Sequence, residues 1–351
     1  MTFTECLSRI PAPDEGARLA CLRRWDAVAK PLHSLGLLET LTARMAAVQR
    51  TDHPRASRKH VVVFCADNGV VAEGVSQSDS SVTAAVAVAL AGGSSNVNIM
   101  ARCAGATVTA WDAGMAADLA LPGLRVRKCA HGTADLARGP AMTRAQAVFA
   151  LETGIAAVEE AAAAGCDILV AGEMGIGNTT SSTAVLCATL GLDPADVTGR
   201  GSGLSDAGLD RKIAVIRRCL EVNRPDGTDG LDVLCKCGGF DIAAICGAYL
   251  AGAALGIPCV MDGLISGAAA MLAQRICPDA AAALLPSHMS HEPGGHAALD
   301  ALGLRAPIVA EMALGEGTGG VALLPLLDMA LAVLNGEHSF ASIGMDAYTE
   351  Q

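Results

Sequence analysis

Short apolar runs alternate with helical patterns along the chain, and this alternation predicts the fold. Uninterrupted apolar runs are typical of strands buried on both faces of a parallel sheet. Such runs occupy residues 61–65, 106–111, 168–171 and 259–261, and a glycine or an acidic residue follows each of them closely. We therefore predict an α/β fold with a doubly wound, Rossmann-like parallel sheet. In such sheets ligands bind at the carboxyl ends of the strands, where these loops fall.

Two of the predicted helices have well-marked boundaries. The segment 205–222 begins after Ser205, a suitable N-cap, and carries apolar residues on one face. These apolar positions are Leu209, Ile213, Ile216 and Leu220. The segment 143–164 reads as a second helix, which Gly165 ends just before a predicted strand.

The segment 242–261 carries no charge and is long enough to span a bilayer. However, it consists mostly of Ala and Gly, Pro258 interrupts it, and Asp241 and Asp262 flank it. We therefore favour a buried helix, a turn at 256–258 and a short buried strand over a membrane span.

Composition restricts the partners and the compartment. The chain has 52% hydrophobic residues, 39 glycines and 3% aromatic residues, which is typical of an α/β protein with closely packed helices. A net charge of −11 argues against nucleic-acid binding, which needs clustered Lys and Arg. The 13 cysteines form no CxxC pair, and Cys235-Lys-Cys237 lacks the further ligands of a zinc site. Free thiols and the absence of an apolar signal segment after Glu5 indicate the cytoplasm.

The loop 172–180, Gly-Glu-Met-Gly-Ile-Gly-Asn-Thr-Thr, joins a predicted strand to a helix. Its glycines allow close backbone approach, and Asn178, Thr179 or Thr180 can cap a helix whose N-terminus suits a phosphate. The loop is neither a Walker A nor a GxGxxG motif. The alternative is a glycine-rich turn without a ligand. Glu173 favours the ligand, because an acid at a strand end is costly unless it is used or solvated.

A second glycine-rich loop, 315–320, places Glu316 between glycines at the start of an apolar helix. The carboxylate of Glu316 could act as a general base, or it could simply cap the helix, and the stretch alone leaves both open.

A third loop, 285–295, contains His288 and His291 with Glu292, which suggests a metal. The prolines on both sides favour a loop over a metal-binding helix, and Ser287 and Ser290 could instead bond a phosphate. Lys212 could add a positive charge there, although an exposed lysine is the more common case.

Many short stretches, in order along the chain, match one family. They are Ile10 to Asp14, Ser34 to Gly36 with Leu38-Glu39, Cys65 to Asp67 with Gly69-Val70, Glu73 to Val75, Gly139 to Met142, Gly172-Glu173 with Asn178 to Thr180, Asp232 to Leu234 with Lys236 and Gly238 to Asp241, Asp262-Gly263, Pro286 to His288 with Ser290, and Leu314 to Gly317. Over nearly its whole length the chain resembles nicotinate-nucleotide–dimethylbenzimidazole phosphoribosyltransferase, an enzyme of cobamide lower-ligand activation. An ordered set of this extent is far more specific than any one loop.

The resemblance implies transfer of the 5-phosphoribosyl group from nicotinate mononucleotide to an aromatic base, with inversion and with neither a cofactor nor a metal. Nicotinate leaves as a neutral ring from a pyridinium, and the chain has no adjacent Asp-Asp pair of the kind that pyrophosphate-dependent enzymes carry. The implied general base is Glu316, and Glu173 is implied at the nucleotide and acceptor. The implied phosphate and nucleotide residues are Gly175, Gly177, Asn178, Thr179, Thr180, Lys212, Ser290 and Gly315.

The implied acceptor pocket consists of Ser78, Val86, Met174 and Leu314. Val86 replaces a family Gln, and Met174 replaces a frequent Leu. The resemblance implies 5,6-dimethylbenzimidazole or a related base as acceptor. Losing the amide removes a polar partner for such a base and makes a phenol such as p-cresol a second candidate. Family members that activate phenols look like pairs of related chains, so a heterodimer with a paralogous chain stands beside the implied homodimer.

Two further departures concern the donor. The Arg that usually precedes Leu-Gly-Glu-Gly is Ala313, and the Asp-His of the first strand loop is Asp67-Asn68. The Ala313 change is expected either to weaken donor binding or to shift that contact elsewhere. A non-catalytic or partner-dependent subunit is therefore the alternative function, against which Glu316 argues.

Two domains are expected. Residues 1–50, which read as helical with a break at 31–36, and residues 331–351 form a small helical domain by the resemblance. Residues 51–330, which begin with a polar connector, form the large catalytic α/β domain.

Overall fold

A single six-stranded parallel sheet carries the fold, as the alternation of apolar runs predicts. The computed structural model describes residues 1–349; residues 350–351 of the predicted small domain lie outside the described residues. The strands are β1 Lys59–Ala66, β2 Ala106–Gly114, β3 Leu124–Val126, β4 Ile168–Met174, β5 Cys259–Met261 and β6 Leu284–Pro286. Their order across the sheet is β3-β2-β1-β4-β5-β6.

Helices cover both faces of this sheet. They are α1 Phe3–Ser8, α2 Glu15–Ala27, α3 Leu37–Gln49, α4 Ser80–Ala91, α5 Asn96–Cys103, α6 Arg144–Ala163, α7 Asn178–Leu190, α8 Pro194–Val197, α9 Asp206–Asn223, α10 Gly230–Cys237, α11 Phe240–Leu255, α12 Leu264–Ile276, α13 Pro293–Ala301 and α14 Thr318–Leu334. The predicted α/β class and doubly wound sheet are confirmed. The four predicted strands are β1, β2, β4 and β5, whereas β3 and β6 were not predicted.

Alternate side chains of β1 enter two separate apolar cores. Val61 and Val63 pack in one core with Leu327 of α14, whereas Val62 and Phe64 pack in the other with residues of α11. Successive side chains of a strand point to opposite faces, so an uninterrupted apolar run is the pattern of a strand covered on both sides.

The contact between α6 and α11 explains the abundance of small residues. A Cβ atom added at Gly154 would lie 1.8 Å from the Ala244 carbonyl oxygen, and one at Gly247 would lie 2.0 Å from that of Leu151. Only glycine allows this approach. The uncharged segment 242–261 is the buried helix α11, a left-handed turn at Gly256 and β5, as predicted.

One other stretch, Ser80–Cys103, is long and apolar enough to cross a membrane by length and composition alone. In the structure it consists of α4 and α5, separated by residues 92–95, and a third of its most apolar window is buried (33%).

Helix α9 begins at its predicted cap Ser205, and α6 begins one residue after its predicted start, because Thr143 is its cap. Thr143 accepts from the Gln146 N–H, and Ser205 accepts from the Gly208 N–H. The predicted buried face of α9 is only partly right. Ile216 is buried, but the other three apolar positions are half-buried, because the centre of the buried face is Lys212.

The terminal segments lie together. Val28, just after α2, pairs with Ser339 in an antiparallel bridge, and Phe340 N–H donates to the Ala27 carbonyl. Trp25 of α2 and Met45 of α3 share the apolar core of β1 and α14. The division into a small and a large domain stays a prediction, and its boundary at 330/331 falls within α14.

Candidate active site

A cavity lies at the carboxyl ends of β4, β5 and β6, where a doubly wound sheet is expected to bind ligands. Its volume is about 230 Å³. The loops after β1, β4, β5 and β6 and the segment before α14 form its wall. The predicted site residues on this wall are Glu173, Met174, Gly175, Gly177, Asn178, Thr179, Ser290, Leu314 and Gly315.

The loop after β4 delivers the N-terminus of α7 to this cavity. Gly177 is the residue before the helix, with a left-handed φ of 91°, and no side chain caps α7 through a hydrogen bond there. A Cβ at Gly177 would lie 2.8 Å from the Val71 side chain, so both the left-handed backbone and the lack of space require glycine at this position. The arrangement leaves an end of partial positive charge facing the cavity.

Two buried carboxylates flank the start of α7. The Asn178 side-chain amide donates to Glu173 and, at 2.8 Å, to Asp241 Oδ2. Burial, and then the nearby charge of Asp241, raises the pKa of Glu173 to about 8. Burial also raises the pKa of Asp241 to about 6, against the opposing hydrogen bond from Asn178. Glu173 therefore carries a proton at neutral pH and can donate a hydrogen bond into the cavity.

The two glycine-rich loops lie against each other. The Glu316 N–H donates to the Glu173 carbonyl at 3.1 Å. A Cβ at Gly172 would lie 2.4 Å from the Glu316 carbonyl oxygen, so glycine is required at this contact. The predicted acids Glu173 and Glu316 thus come from neighbouring backbone segments.

Glu316 has a left-handed φ of 59°, which is unusual for a residue with a side chain. Its Oε2 accepts from the Val97 N–H at 3.0 Å, at the N-terminus of α5. The side chain is buried and does not form part of the cavity wall, although Gly315 and Thr318 do. The sequence left two interpretations of Glu316 open, a general base and a cap of the helix that follows it. The carboxylate does not cap that helix, α14; it accepts instead from a backbone N–H at the start of α5. Its role as a general base stays a prediction.

Asp262, at the end of β5, occupies the N-terminus of α14. Its Oδ2 accepts from the Gly317 N–H at 3.1 Å, and its Oδ1 accepts from the Gly319 and Gly320 N–H groups at 2.7 and 3.2 Å. Burial raises the pKa of Asp262, which the charge of His288 and these three N–H groups oppose. These three N–H groups at the start of α14 are therefore already bonded to a carboxylate of the protein itself.

Lys212 is fully buried, which excludes the exposed-lysine alternative. Its Nζ donates to Thr179 Oγ1 at 2.9 Å and to the Gly199 carbonyl at 3.1 Å. Burial lowers the pKa of Lys212 to about 8, opposed by the charge of Glu292. Lys212 lies behind the cavity wall, so its charge acts through Thr179. Thr180 is also buried and is not on the wall.

The loop after β6 contributes a hydroxyl to the wall. Ser290 Oγ accepts from the Glu292 N–H at 3.2 Å, so its O–H is available to donate. His288 is buried and also lines the cavity, whereas His291 is exposed. Within residues 1–349 no group of three or more His, Cys, Asp or Glu side chains could hold a metal ion.

The acceptor pocket implied by the resemblance is only partly assembled around this cavity. Met174 and Leu314 line it, and the side chain of Leu314 is 54% exposed. Ser78 and Val86 do not line it; Val86 packs against the core of β1 and α14. Ser76, two residues before Ser78, lies on the wall instead.

Sequence reasoning did not assign several residues that the structure brings to the site. They are Asp241, Asp262, Arg200, Glu292 and Ser76. Asp241 and Asp262 belong to stretches that match the family, which is the signal that could have found them. Asn68 is buried and supports the loop after β4, accepting from Ser181 and donating to the Ile176 carbonyl.

Comparison with known proteins identifies the family of this chain. A family model described as Phosphoribosyltransferase matches residues 10–345. A relative from Roseiflexus sp. (strain RS-1), named nicotinate-nucleotide–dimethylbenzimidazole phosphoribosyltransferase, is 44% identical over 349 residues, or 99% of each chain. One of the same name from Desulforamulus reducens is 43% identical over 345 residues, or 98% of each chain.

Solved structures extend the comparison to three dimensions. The crystal structure of CobT from Thermus thermophilus is similar with a TM-score of 0.90 and 41% identity, and the match covers 95% of this chain and 100% of that one. Sequence relatives and structure therefore agree over almost the full length. The chain belongs to the nicotinate-nucleotide–dimethylbenzimidazole phosphoribosyltransferase family.

Proposed function

We propose that this chain transfers the 5-phosphoribosyl group of nicotinate mononucleotide to 5,6-dimethylbenzimidazole or a related base. The products are the α-riboside 5'-phosphate of that base and nicotinate. The observation that carries the proposal is a phosphate seat beside Glu173 on one cavity wall, with Glu316 on the backbone segment that adjoins Glu173. Relatives across the whole chain carry the name of this enzyme, and none of those described above is named as a partner-dependent subunit.

The donor phosphate is assigned to the start of α7. The uncapped helix end, the Thr179 N–H and hydroxyl, and the free O–H of Ser290 supply donors. Lys212 adds a buried positive charge one layer behind Thr179. Each of these features favours an anion, and together they neutralise more charge than a helix end alone.

The transfer step is a displacement at the anomeric carbon. The bond from C1' to the nicotinate nitrogen breaks, the bond from C1' to the acceptor nitrogen forms on the opposite face, and the configuration changes from β to α. Glu316 takes the acceptor's N–H proton; its Oε2 stays on Val97 N–H, which leaves Oε1 for that proton. Glu173, protonated, donates a hydrogen bond beside the reacting groups. Holding both substrates in one cleft supplies the positioning contribution.

The acceptor is assigned to the apolar part of the wall, around Met174, Met312 and Leu314. These side chains offer no hydrogen-bond donor, so ring shape and apolar contact govern the choice of base. This favours a methylated benzimidazole and keeps p-cresol as a substrate to be tested.

We expect the protein to act as a dimer in the cytoplasm. Val309 and Leu314, in the loop beside the cavity, are 79% and 54% exposed, which is unfavourable for apolar side chains in water. A second copy of this chain would cover them; a paralogous chain is the other possible cover. Sedimentation of the purified protein distinguishes a homodimer from a monomer.

The test is nicotinate release from nicotinate mononucleotide, with 5,6-dimethylbenzimidazole and p-cresol offered separately. Release with the benzimidazole is the expected result. Additional release with p-cresol would widen the acceptor class. Release with neither, from a correctly folded dimer, would contradict the proposal and favour a subunit that depends on another chain.

A further inference from the structure

Glu292 has no role in the transfer reaction proposed above. It lies on the cavity wall and is 7% exposed. Its Oε1 accepts from the Gly201 N–H at 2.9 Å, and its Oε2, which faces Gly199 and is closed to solvent, has no hydrogen-bond partner. Although Glu292 directly precedes α13, its side chain does not cap that helix. A buried carboxylate oxygen without a partner is costly, so its retention suggests a ligand.

The surrounding chain holds this oxygen in place. A Cβ at Gly199 would lie 2.0 Å from Glu292 Oε2, so only glycine at 199 leaves room for it. The Gly199 carbonyl accepts from Lys212, and the Glu292 N–H donates to Ser290 Oγ. Glu292 therefore stands between the two side chains that we assign to the phosphate, Lys212 and Ser290. Its charge also offsets that of the buried Lys212.

Few groups of nicotinate mononucleotide can donate a hydrogen bond to the Glu292 carboxylate. In nicotinate mononucleotide the carboxylate and the phosphate accept hydrogen bonds, and at neutral pH the phosphate is largely a dianion because its second pKa is about 6. The only conventional donors of the molecule are the 2'- and 3'-hydroxyls of the ribose. An acid next to a phosphate seat would repel the phosphate, but it suits a hydroxyl on the adjoining sugar.

We infer that the Glu292 carboxylate accepts a hydrogen bond from a ribose ring hydroxyl of the donor and so selects ribosyl over deoxyribosyl donors. The inference rests on the proposed function, because it takes the phosphate seat at α7 as its reference point. Glu292 thereby becomes a specificity residue of the donor site.

The test combines a protein change with a substrate change. Binding of nicotinate mononucleotide and of its 2'-deoxy and 3'-deoxy analogues is measured by calorimetry, without acceptor, for the wild type and for Glu292→Gln. Glutamine keeps the shape and an oxygen for Gly201 N–H but replaces the free acceptor with an NH₂ group. The wild type should bind one deoxy analogue roughly 10- to 100-fold more weakly than nicotinate mononucleotide, as expected for a hydrogen bond to a charged group.

The two changes should not add. Glu292→Gln should lose a similar factor with nicotinate mononucleotide and almost nothing further with the sensitive deoxy analogue. Glu221→Gln, an exposed change of the same type on α9, should leave all three affinities unchanged. Equal losses for Glu292→Gln with all three compounds would overturn the inference and leave Glu292 as a support for Gly199 to Gly201.

Two outcomes keep the test decisive. If Glu292→Gln does not fold, equal binding of all three compounds by the wild type alone overturns the inference. If the wild type binds and discriminates but releases no nicotinate with any acceptor, the proposed function fails while the ribose assignment stands.

Discussion

Helices α7 and α14 begin in nearly the same way but at different points of the site. Each follows a left-handed glycine, Gly177 with φ 91° and Gly317 with φ 88°, and neither has a capping side chain at that position. Each also has a glutamate shortly before it, Glu173 near the end of β4 and Glu316 in the loop before α14. On local sequence alone, either helix start could receive a phosphate.

The difference between them lies in what the rest of the chain brings. Asp262 places its carboxylate on three N–H groups at the start of α14, whereas among residues 1–349 no carboxylate side chain accepts from the backbone N–H groups that begin α7. The acid closest to α7, Glu173, is protonated at neutral pH, with a pKa of about 8. The other acid at this helix start, Asp241, has a pKa of about 6 and accepts from the Asn178 side-chain amide. The start of α7 thus stays open to an external anion because no carboxylate of the described residues occupies its backbone N–H groups.

The largest expected effect concerns the acid of the α14 loop. Glu316→Gln should lower kcat by roughly 10²–10⁴-fold, because it removes the proposed base, while binding of nicotinate mononucleotide stays near wild type. Steady-state kinetics together with calorimetry measure both quantities. The exposed Glu221→Gln serves as the control. Normal turnover by Glu316→Gln would transfer the base assignment away from the α14 loop.

The hydrogen bonds between Asp262 and the start of α14 can be removed by one substitution. Asp262→Ala should lower the free energy of unfolding by about 2–4 kcal/mol, since it leaves three backbone donors without their charged partner. Urea unfolding at pH 7 measures the change. Asp300→Ala, an exposed aspartate on α13, should stay within about 0.5 kcal/mol of wild type. Equal stability of the two variants would mean that Asp262 does not hold the start of α14.

Binding of the donor phosphate at the start of α7 is expected to depend on the charge of Lys212. Lys212→Met should raise the KM for nicotinate mononucleotide by roughly 30-fold, since a buried charge one layer from the phosphate contributes about 2 kcal/mol at an effective dielectric constant near 20. Stability is measured alongside by urea unfolding, because the change removes an unfavourable buried ammonium but also leaves the Gly199 carbonyl without its donor and the buried Glu292 carboxylate without its compensating charge. Arg217→Met removes an exposed cation from the same helix and should leave KM unchanged. A KM no higher than that of Arg217→Met would exclude a role in donor binding.

Much of the fold could be predicted because the decisive pattern is local. An apolar run such as 61–65 or 259–261 marks a buried strand wherever it lies in space. Strands β3 and β6 have three residues each, and their identity comes from pairing with β2 and β5, which no local pattern contains. The buried face of α9 was misplaced because a helical pattern treats Lys212 as polar. Its ammonium is buried only because Thr179 and the Gly199 carbonyl accept from it.

The site, like the fold, has features that the sequence predicts and features that depend on contacts between distant residues. The loops 172–180 and 315–320 were recognisable from their glycines and acids. The state of Glu173 was not, because it depends on Asp241, which lies 63 residues from Asn178 along the chain. The orientation of Glu316 depends on Val97, 219 residues away. Charge balance in a buried site is a tertiary property, and it decides which helix start is open.

The smallest expected effect tests whether Glu173 is neutral at the start of α7. Its pKa is raised from the ordinary value of 4.5 to about 8. Between these values the unfolded chain has lost the proton and the folded chain keeps it, so stability falls as the pH rises through this window. Asp241, with a pKa of about 6, gives a slope of the same sign below pH 6. The interval from pH 6 to 8 therefore reports mainly on Glu173.

Glu173→Gln should remove this slope, because an amide does not titrate. Relative to wild type, the variant should gain about 1–2 kcal/mol of unfolding free energy between pH 6 and pH 8, since each unit of pKa shift corresponds to about 1.4 kcal/mol at most. Lys212, whose pKa is lowered to about 8, contributes to both proteins and cancels in the difference. Urea unfolding of wild type, Glu173→Gln and the exposed control Glu221→Gln at both pH values measures it. Parallel pH dependences of wild type and Glu173→Gln would mean that Glu173 is already ionised at neutral pH, and α7 would then start beside two negative charges, those of Glu173 and Asp241.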